Sequence, residues 1–151
     1  MKIITILLLT LFLGKGCDKE TQQDLKNTVI EYSARTRGFS QLVVIKNQEI
    51  TIDTDRRGVK SKQSQKISDA DWKILVSEFQ KLELDKIKDL KAPSNKSSTD
   101  AAAMGQLLIT HKEIKYTSQS FDNGNPPVAI AEFVNKAVEI TKSIEKNNDD
   151  N

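Results

Sequence analysis

The chain holds four arginines, Arg35, Arg37, Arg56 and Arg57, against nineteen lysines spread along its length. A guanidinium presents a planar fork of donors that matches the oxygens of a carboxylate or phosphate, whereas an ammonium acts as a point charge. Confinement of every arginine to two short stretches marks them as a candidate anion or partner contact. The competing expectation is that these charges blunt exposed strand ends and pair locally with Asp53, Asp55 or Glu31. A second candidate contact lies in two loops and comprises Asp100, Asp122, Asn123, Gly124 and Asn125, with Pro126 and Pro127 stiffening the second loop. Catalysis has little to draw on. His111 is the single histidine, and it falls at an expected hairpin turn as a solvated residue with no nucleophile or orienting group in view. Asp53-Thr54-Asp55-Arg56-Arg57-Gly58 begins like a calcium loop, but Arg57 occupies a ligand position and Ser64 stands where the bidentate Glu belongs. Zinc ligands at short spacing are absent. The 21 acidic residues mark out no opposed pair for glycoside chemistry. The expectation is a non-enzyme with no catalytic residues, no metal and no cofactor; a carboxylate-based hydrolase would need two acids converging in a cleft.

These residues must be positioned by strands. Val29, Ile30 and Tyr32 open a β-rich stretch that continues through Phe39, Leu42, Val43, Val44 and Ile45, turns at Asn47-Gln48 and returns through Ile50 and Ile52. Asn tolerates the left-handed backbone of a two-residue hairpin turn. Residues facing one another across that hairpin then have numbers summing to 95, so Val43 meets Ile52 and Ile45 meets Ile50 on one apolar face. The same register gathers the four arginines near the open end of the hairpin, with Arg37 across from Gly58. Gly58 to Lys66 is polar and lacks Pro, which fits an edge strand or a loop. Ser68 with Asp71 is a helix-capping signature. The apolar positions behind it, Trp72, Leu75, Val76, Phe79 and Leu82, form one helical stripe. Trp72 therefore reads as core. Leu84, Ile87 and Leu90 extend that helix or lead away from it, and Ala92 to Asp100 is a loop by composition.

A second pass follows. Gln106 to Thr110 and Ile114 to Ser118 flank a turn near Lys112, and Asp122 to Pro127 then breaks the chain and starts a helix. Its stripe is Ile130, Phe133, Val134, Ala137, Val138, Thr141 and Ile144. Strand, strand, helix thus occurs twice. The expected fold is α+β in ββα-ββα order, an antiparallel sheet of four or more strands with two helices on one face.

Met1-Lys2 followed by the apolar run Ile3 to Leu13 reads as a secretory signal, too short to span a bilayer. Cys17, the only cysteine, follows Gly14-Lys15-Gly16. The segment resembles a bacterial lipoprotein signal, in which such a Cys receives diacylglycerol, cleavage follows, and the new amino terminus is acylated with a fatty acid such as palmitate. It departs from that pattern where Gly14 and Lys15 precede the last small residue, and Gly14 with Gly16 also fits ordinary cleavage to a secreted protein. At ~0.8 kcal/mol per buried methylene, two or three acyl chains hold a protein on a membrane. The resemblance implies a membrane anchor at Cys17 and a cell-envelope location, the outer membrane or cell surface ahead of the inner membrane. Removal of residues 1–16 leaves 21 Lys and Arg against 21 Asp and Glu. A neutral chain offers no electrostatic footprint for nucleic acid.

The expected division is a signal peptide over residues 1–16, a lipid-anchored polar tether over 17–27, one α+β domain over 28–146 and a disordered polar tail over 147–151. Ile67-Ser68-Asp69-Ala70-Asp71-Trp72, Leu90-Lys91-Ala92-Pro93, Asp100-Ala101-Ala102 and Phe121 to Pro127 are similar to wording found in uncharacterised small bacterial lipoproteins. That resemblance implies an envelope location and a small α+β domain, and supplies no activity. The functional expectation is a binding module that recognises a protein partner, as an inhibitor, immunity-type or assembly-accessory lipoprotein. The alternative is a small-molecule or glycan binder with a pocket between sheet and helices, which would be lined by Trp72, Phe79 or Phe133.

Overall fold

Alternation of side chains, rather than helical periodicity, organises the first half of the chain. The computed structural model describes residues 25–99 and 101–149. Strands β1 (Thr28–Thr36), β2 (Phe39–Lys46), β3 (Glu49–Arg56) and β4 (Val59–Lys66) run as consecutive antiparallel hairpins. Helix α1 (Asp69–Gln80) follows, then β5 (Met104–His111), β6 (Ile114–Thr117), the two-residue β7 (Phe121–Asp122) and helix α2 (Val128–Asp149). The spatial order is β4-β3-β2-β1-β5-β6, with β7 also pairing β5. The fold is α+β, built on a seven-strand antiparallel sheet.

Two differences from the sequence expectation follow. Among the described residues four strands, not two, lie between residue 28 and helix α1, so from Thr28 the order is ββββα then βββα. Strand β4 carries Val-Lys-Ser-Lys-Gln-Ser-Gln-Lys and has no apolar period; it is a strand because the Arg57-Gly58 turn folds it back along β3. Described structure also reaches into both segments that flank residues 28–146. Leu25, placed in the expected tether, is fully buried in the core, and α2 continues to Asp149, into the expected tail. The signal segment and Cys17 lie outside the described residues.

The β2–β3 register is the sum-to-95 pairing, with Val43 across from Ile52 and Ile45 across from Ile50. Asn47 and Gln48 both adopt positive φ, 52° and 64°, the backbone of a type I′ turn whose twist matches the strands. Ile30, Tyr32, Val43, Ile45, Ile50, Ile52, Leu107 and Ile109 are buried and fall at alternate positions on one face of the sheet. They join Trp72, Leu75, Val76 and Phe79 of α1 and Ile130, Phe133, Val134, Ala137, Ile140 and Ile144 of α2 in one apolar cluster. Ser68 caps α1 by accepting from the Asp71 N–H at 3.1 Å. Leu84–Asp89 leaves the helix as a 3-10 segment rather than extending it, and buries Ile87. The Lys136 ammonium bridges the helices, 2.8 Å from Asp71 and 3.1 Å from Glu139. Its hydrogen bond, with that from Ser68, holds the Asp71 carboxyl below the usual range.

Candidate functional site

Two turns of the meander meet at one end of the sheet. Arg37-Gly38 joins β1 to β2, and Arg57-Gly58 joins β3 to β4. The Arg57 N–H donates to the Gly38 carbonyl at 2.9 Å, which holds the turns side by side. Arg57 and Gly58 take φ of 55° and 88°, and Asp55 steadies the turn by accepting from the Gly58 N–H at 2.8 Å. The Arg56 guanidinium lies 4.8 Å above the centre of the Phe39 ring, a cation–π contact that limits where the fork can point. Thr36, Arg37, Gly38, Phe39, Arg56 and Arg57 line an open concavity of about 270 Å³.

All four arginines are exposed and lie at this end, as the hairpin register requires, yet they do not share one surface. Arg35 alternates with buried Ala34 and so belongs to the sheet face opposite the core. Arg56 pairs across from Phe39, on the core side at the margin of the sheet. Arg37 and Arg57 sit in the turns between them. The arrangement offers fork donors to an anionic group approaching the sheet end.

The loop candidates reach the same end. Arg35, Met104 and Asp122 are successive neighbours across β1, β5 and β7. Asp100 lies outside the described residues. Asp122 is buried, only 3% exposed, and its carboxylate is occupied. It accepts from the Ser94 hydroxyl, from Lys96 N–H at 2.9 Å and from Ser97 N–H at 2.7 Å. The Ser94 hydroxyl, with the two N–H groups, holds its carboxyl far below the ordinary carboxylate range against the opposing effect of burial. Asp122 is thus the clamp of the Ala92 to Thr99 loop. Asn125 reinforces it through Nδ2 to Ser94 Oγ at 2.7 Å, and Asn123 accepts from the Tyr32 hydroxyl. Burial pushes that phenol up to about 12. Asn123, Gly124 and Asn125 remain exposed, with Gly124 at φ 88°.

Gly105 fits closely where these elements converge. A Cβ there would stand 3.0 Å from both the Phe121 ring and the Tyr32 hydroxyl, tighter than most packed contacts, so that the ring and the hydroxyl would have to give way slightly.

His111 differs from the expected solvated turn residue. The turn takes Lys112 and Glu113, both at positive φ, which leaves His111 as the last residue of β5. Its Nδ1 is 2.7 Å from Thr28 Oγ1, and its ring stands 5.9 Å from that of Phe79. Seven residues separate it from Met104, roughly 24 Å along the strand at about 3.4 Å per residue, so it takes no part in the arginine end. Among the described residues no three His, Cys, Asp or Glu side chains are grouped to hold a metal ion. No described helix is long and apolar enough to cross a membrane. The outward sheet face carries Leu42, Val44, Leu108 and Met104, of which Leu42 and Met104 are clearly exposed. Glu31, Ser33 and Arg35 of β1 stand between the β2 pair and the β5 pair on that face, so the four do not form one continuous apolar strip. The chain matches no protein-family model, no curated protein and no solved structure.

Proposed function

We propose that this chain is a lipid-anchored protein of the bacterial cell envelope that acts by protein–protein recognition, as an inhibitor, immunity-type or assembly-accessory factor. The observation that carries the reading is the arginine end: four exposed arginines at one end of the sheet, two of them, Arg37 and Arg57, in turns joined backbone to backbone, beside a clamped loop. Rigid turns present donors at small entropic cost, and Arg is enriched where interfaces concentrate their energy. The small-molecule alternative loses support, because Trp72, Phe79 and Phe133 are each under a tenth exposed and belong to the packed cluster. A partner carrying carboxylates or phosphates at its contact surface fits the fork donors.

Crosslinking in cells with the membrane-anchored chain tests the recognition. A discrete partner should be captured, and changing Arg35, Arg37, Arg56 and Arg57 together to Ser should reduce its yield at least about tenfold, since one lost hot-spot contact costs roughly 2 kcal/mol or more. Capture unaffected by the four substitutions would remove the arginine end from the contact. The anchor has its own readout. Intact mass of the membrane-fraction protein should show Cys17 at the amino terminus with diacylglycerol and acyl additions, and Cys17→Ser should move the protein out of that fraction; an unmodified Cys17 sinks the anchor.

A further inference from the structure

The two edges of the sheet are treated differently. On one side the edge is divided between β6, four residues, and β7, two residues, and the Leu84–Asp89 segment packs against β6. On the other side β4 runs eight residues without Pro, and every residue but Gln63 is exposed. Among the described residues β4 has one strand neighbour, β3.

The register says what this edge offers. The Ile67 N–H bonds the Gln48 carbonyl at 2.8 Å, and bonded pairs alternate along an antiparallel ladder. Ile50 with Gln65, Ile52 with Gln63, Thr54 with Ser61 and Arg56 with Val59 therefore continue the bonded set. The residues between them, Lys60, Lys62, Ser64 and Lys66, direct their N–H and C=O groups away from β3, to the open edge. The three lysines also share one face, where each stands across from an acid of β3: Lys60 from Asp55, Lys62 from Asp53 and Lys66 from Glu49. Lysines alone on an edge repel an incoming strand. Here each stands in register with a carboxylate of β3, and Lys66 also lies 3.9 Å from Asp69, which offsets part of that repulsion; a following strand with acids in the same row would place every lysine of the row between two carboxylates. A second copy does not fit, because antiparallel pairing of β4 with β4 sets lysines beside lysines.

We infer that β4 is a strand-addition site for an extended protein segment with acidic side chains at alternate positions. Main-chain bonds from Lys60, Lys62, Ser64 and Lys66 supply the pairing, and the lysine row selects the charge. This surface is separate from the arginine concavity. It is tested with a purified protein and a defined probe, so its failure leaves the capture experiment untouched.

The probe is a labelled synthetic peptide of alternating threonine and aspartate, titrated into the full chain in detergent with backbone amide shifts recorded. Saturable binding should shift the Lys60, Lys62, Ser64 and Lys66 amides. An isomer with its aspartates in one block should bind at least about tenfold more weakly. Lys62→Pro removes one outward N–H and leaves the bonds to β3 intact, so it too should weaken binding about tenfold. Lys60→Glu with Lys62→Glu should abolish binding without unfolding the sheet. Absence of saturable binding overturns the inference. So does equal binding of the blocked isomer or of polyphosphate, or indifference to Lys62→Pro, each of which would reduce the edge to a plain cationic patch.

Discussion

Replacing Phe133 by alanine should remove about 3–5 kcal/mol of stability, the range for truncating a buried aromatic ring. Phe133 is 1% exposed and lies on the α2 stripe that meets the core. Its ring stands 6.1 Å from that of Phe79 of α1 at 54°, an edge-inclined pairing that adds to simple burial. The loss has two parts: transfer of the ring's apolar surface, and the cavity left between two helices and a sheet that cannot all close upon it. A domain of this class is held by about 5–15 kcal/mol in total, so the variant should sit near its unfolding threshold. Urea denaturation followed by circular dichroism reads the effect. Val128→Ala serves as the comparison on the same helix, since Val128 is 88% exposed and surface changes usually stay within about 0.5 kcal/mol. Equal midpoints for the two variants would mean that Phe133 does not hold the helices to the sheet.

How far such features could be read beforehand depended on whether their cause was local. The β2–β3 register follows from a turn at Asn47-Gln48 and the apolar alternation on either side, all within fourteen residues. Both helices announce themselves by spacing, and Ser68 caps α1 through a contact three residues away. Strand β4 has no such mark, because both of its faces are polar; its pairing with β3 defines it. Leu25 is a single apolar residue in a polar run, without a period, and only the folded chain shows that the core needs it. Ile140 adds to the α2 stripe, three residues beyond Ala137, at a spacing that is itself helical. Register alone places the arginines at one end, but the division of Arg35 and Arg56 between the two faces depends on strand parity. The anchoring role of Asp122 was beyond reach, since its partners Ser94, Lys96 and Ser97 lie 25–28 residues upstream.

That long-range clamp yields an acid-dependent result. Asp122→Asn should lower the thermal midpoint at neutral pH by at least about 5 °C, and the gap from the native chain should narrow as pH falls. Geometry gives the first part. Both carboxylate oxygens accept, one from Ser94 and Lys96 and the other from Ser97. An amide accepts on one side only and would turn its NH₂ toward a donor, leaving donors unsatisfied where water is excluded. Linkage gives the second part. The folded Asp122 carboxyl titrates far below the ordinary range, chiefly through the Ser94 hydroxyl, whereas the unfolded one titrates near ~3.9. A depressed folded value contributes stability that is fully present above the unfolded value. The contribution declines as the unfolded carboxyl takes up its proton, from roughly pH 5 downward, and vanishes only below the folded value. The native chain should therefore lose stability across that acid window with a slope to which Asp122 adds up to one proton, and the Asn variant should lack that share. Thermal melts of both chains between neutral and strongly acidic pH measure it. Exchange of the Lys96 and Ser97 amides should accelerate in the variant if the clamp orders the loop. Parallel melting curves at every pH would mean that the carboxylate is not held in its ionised form, and the loop beside the arginine end would then owe its shape to Asn125 and the prolines instead.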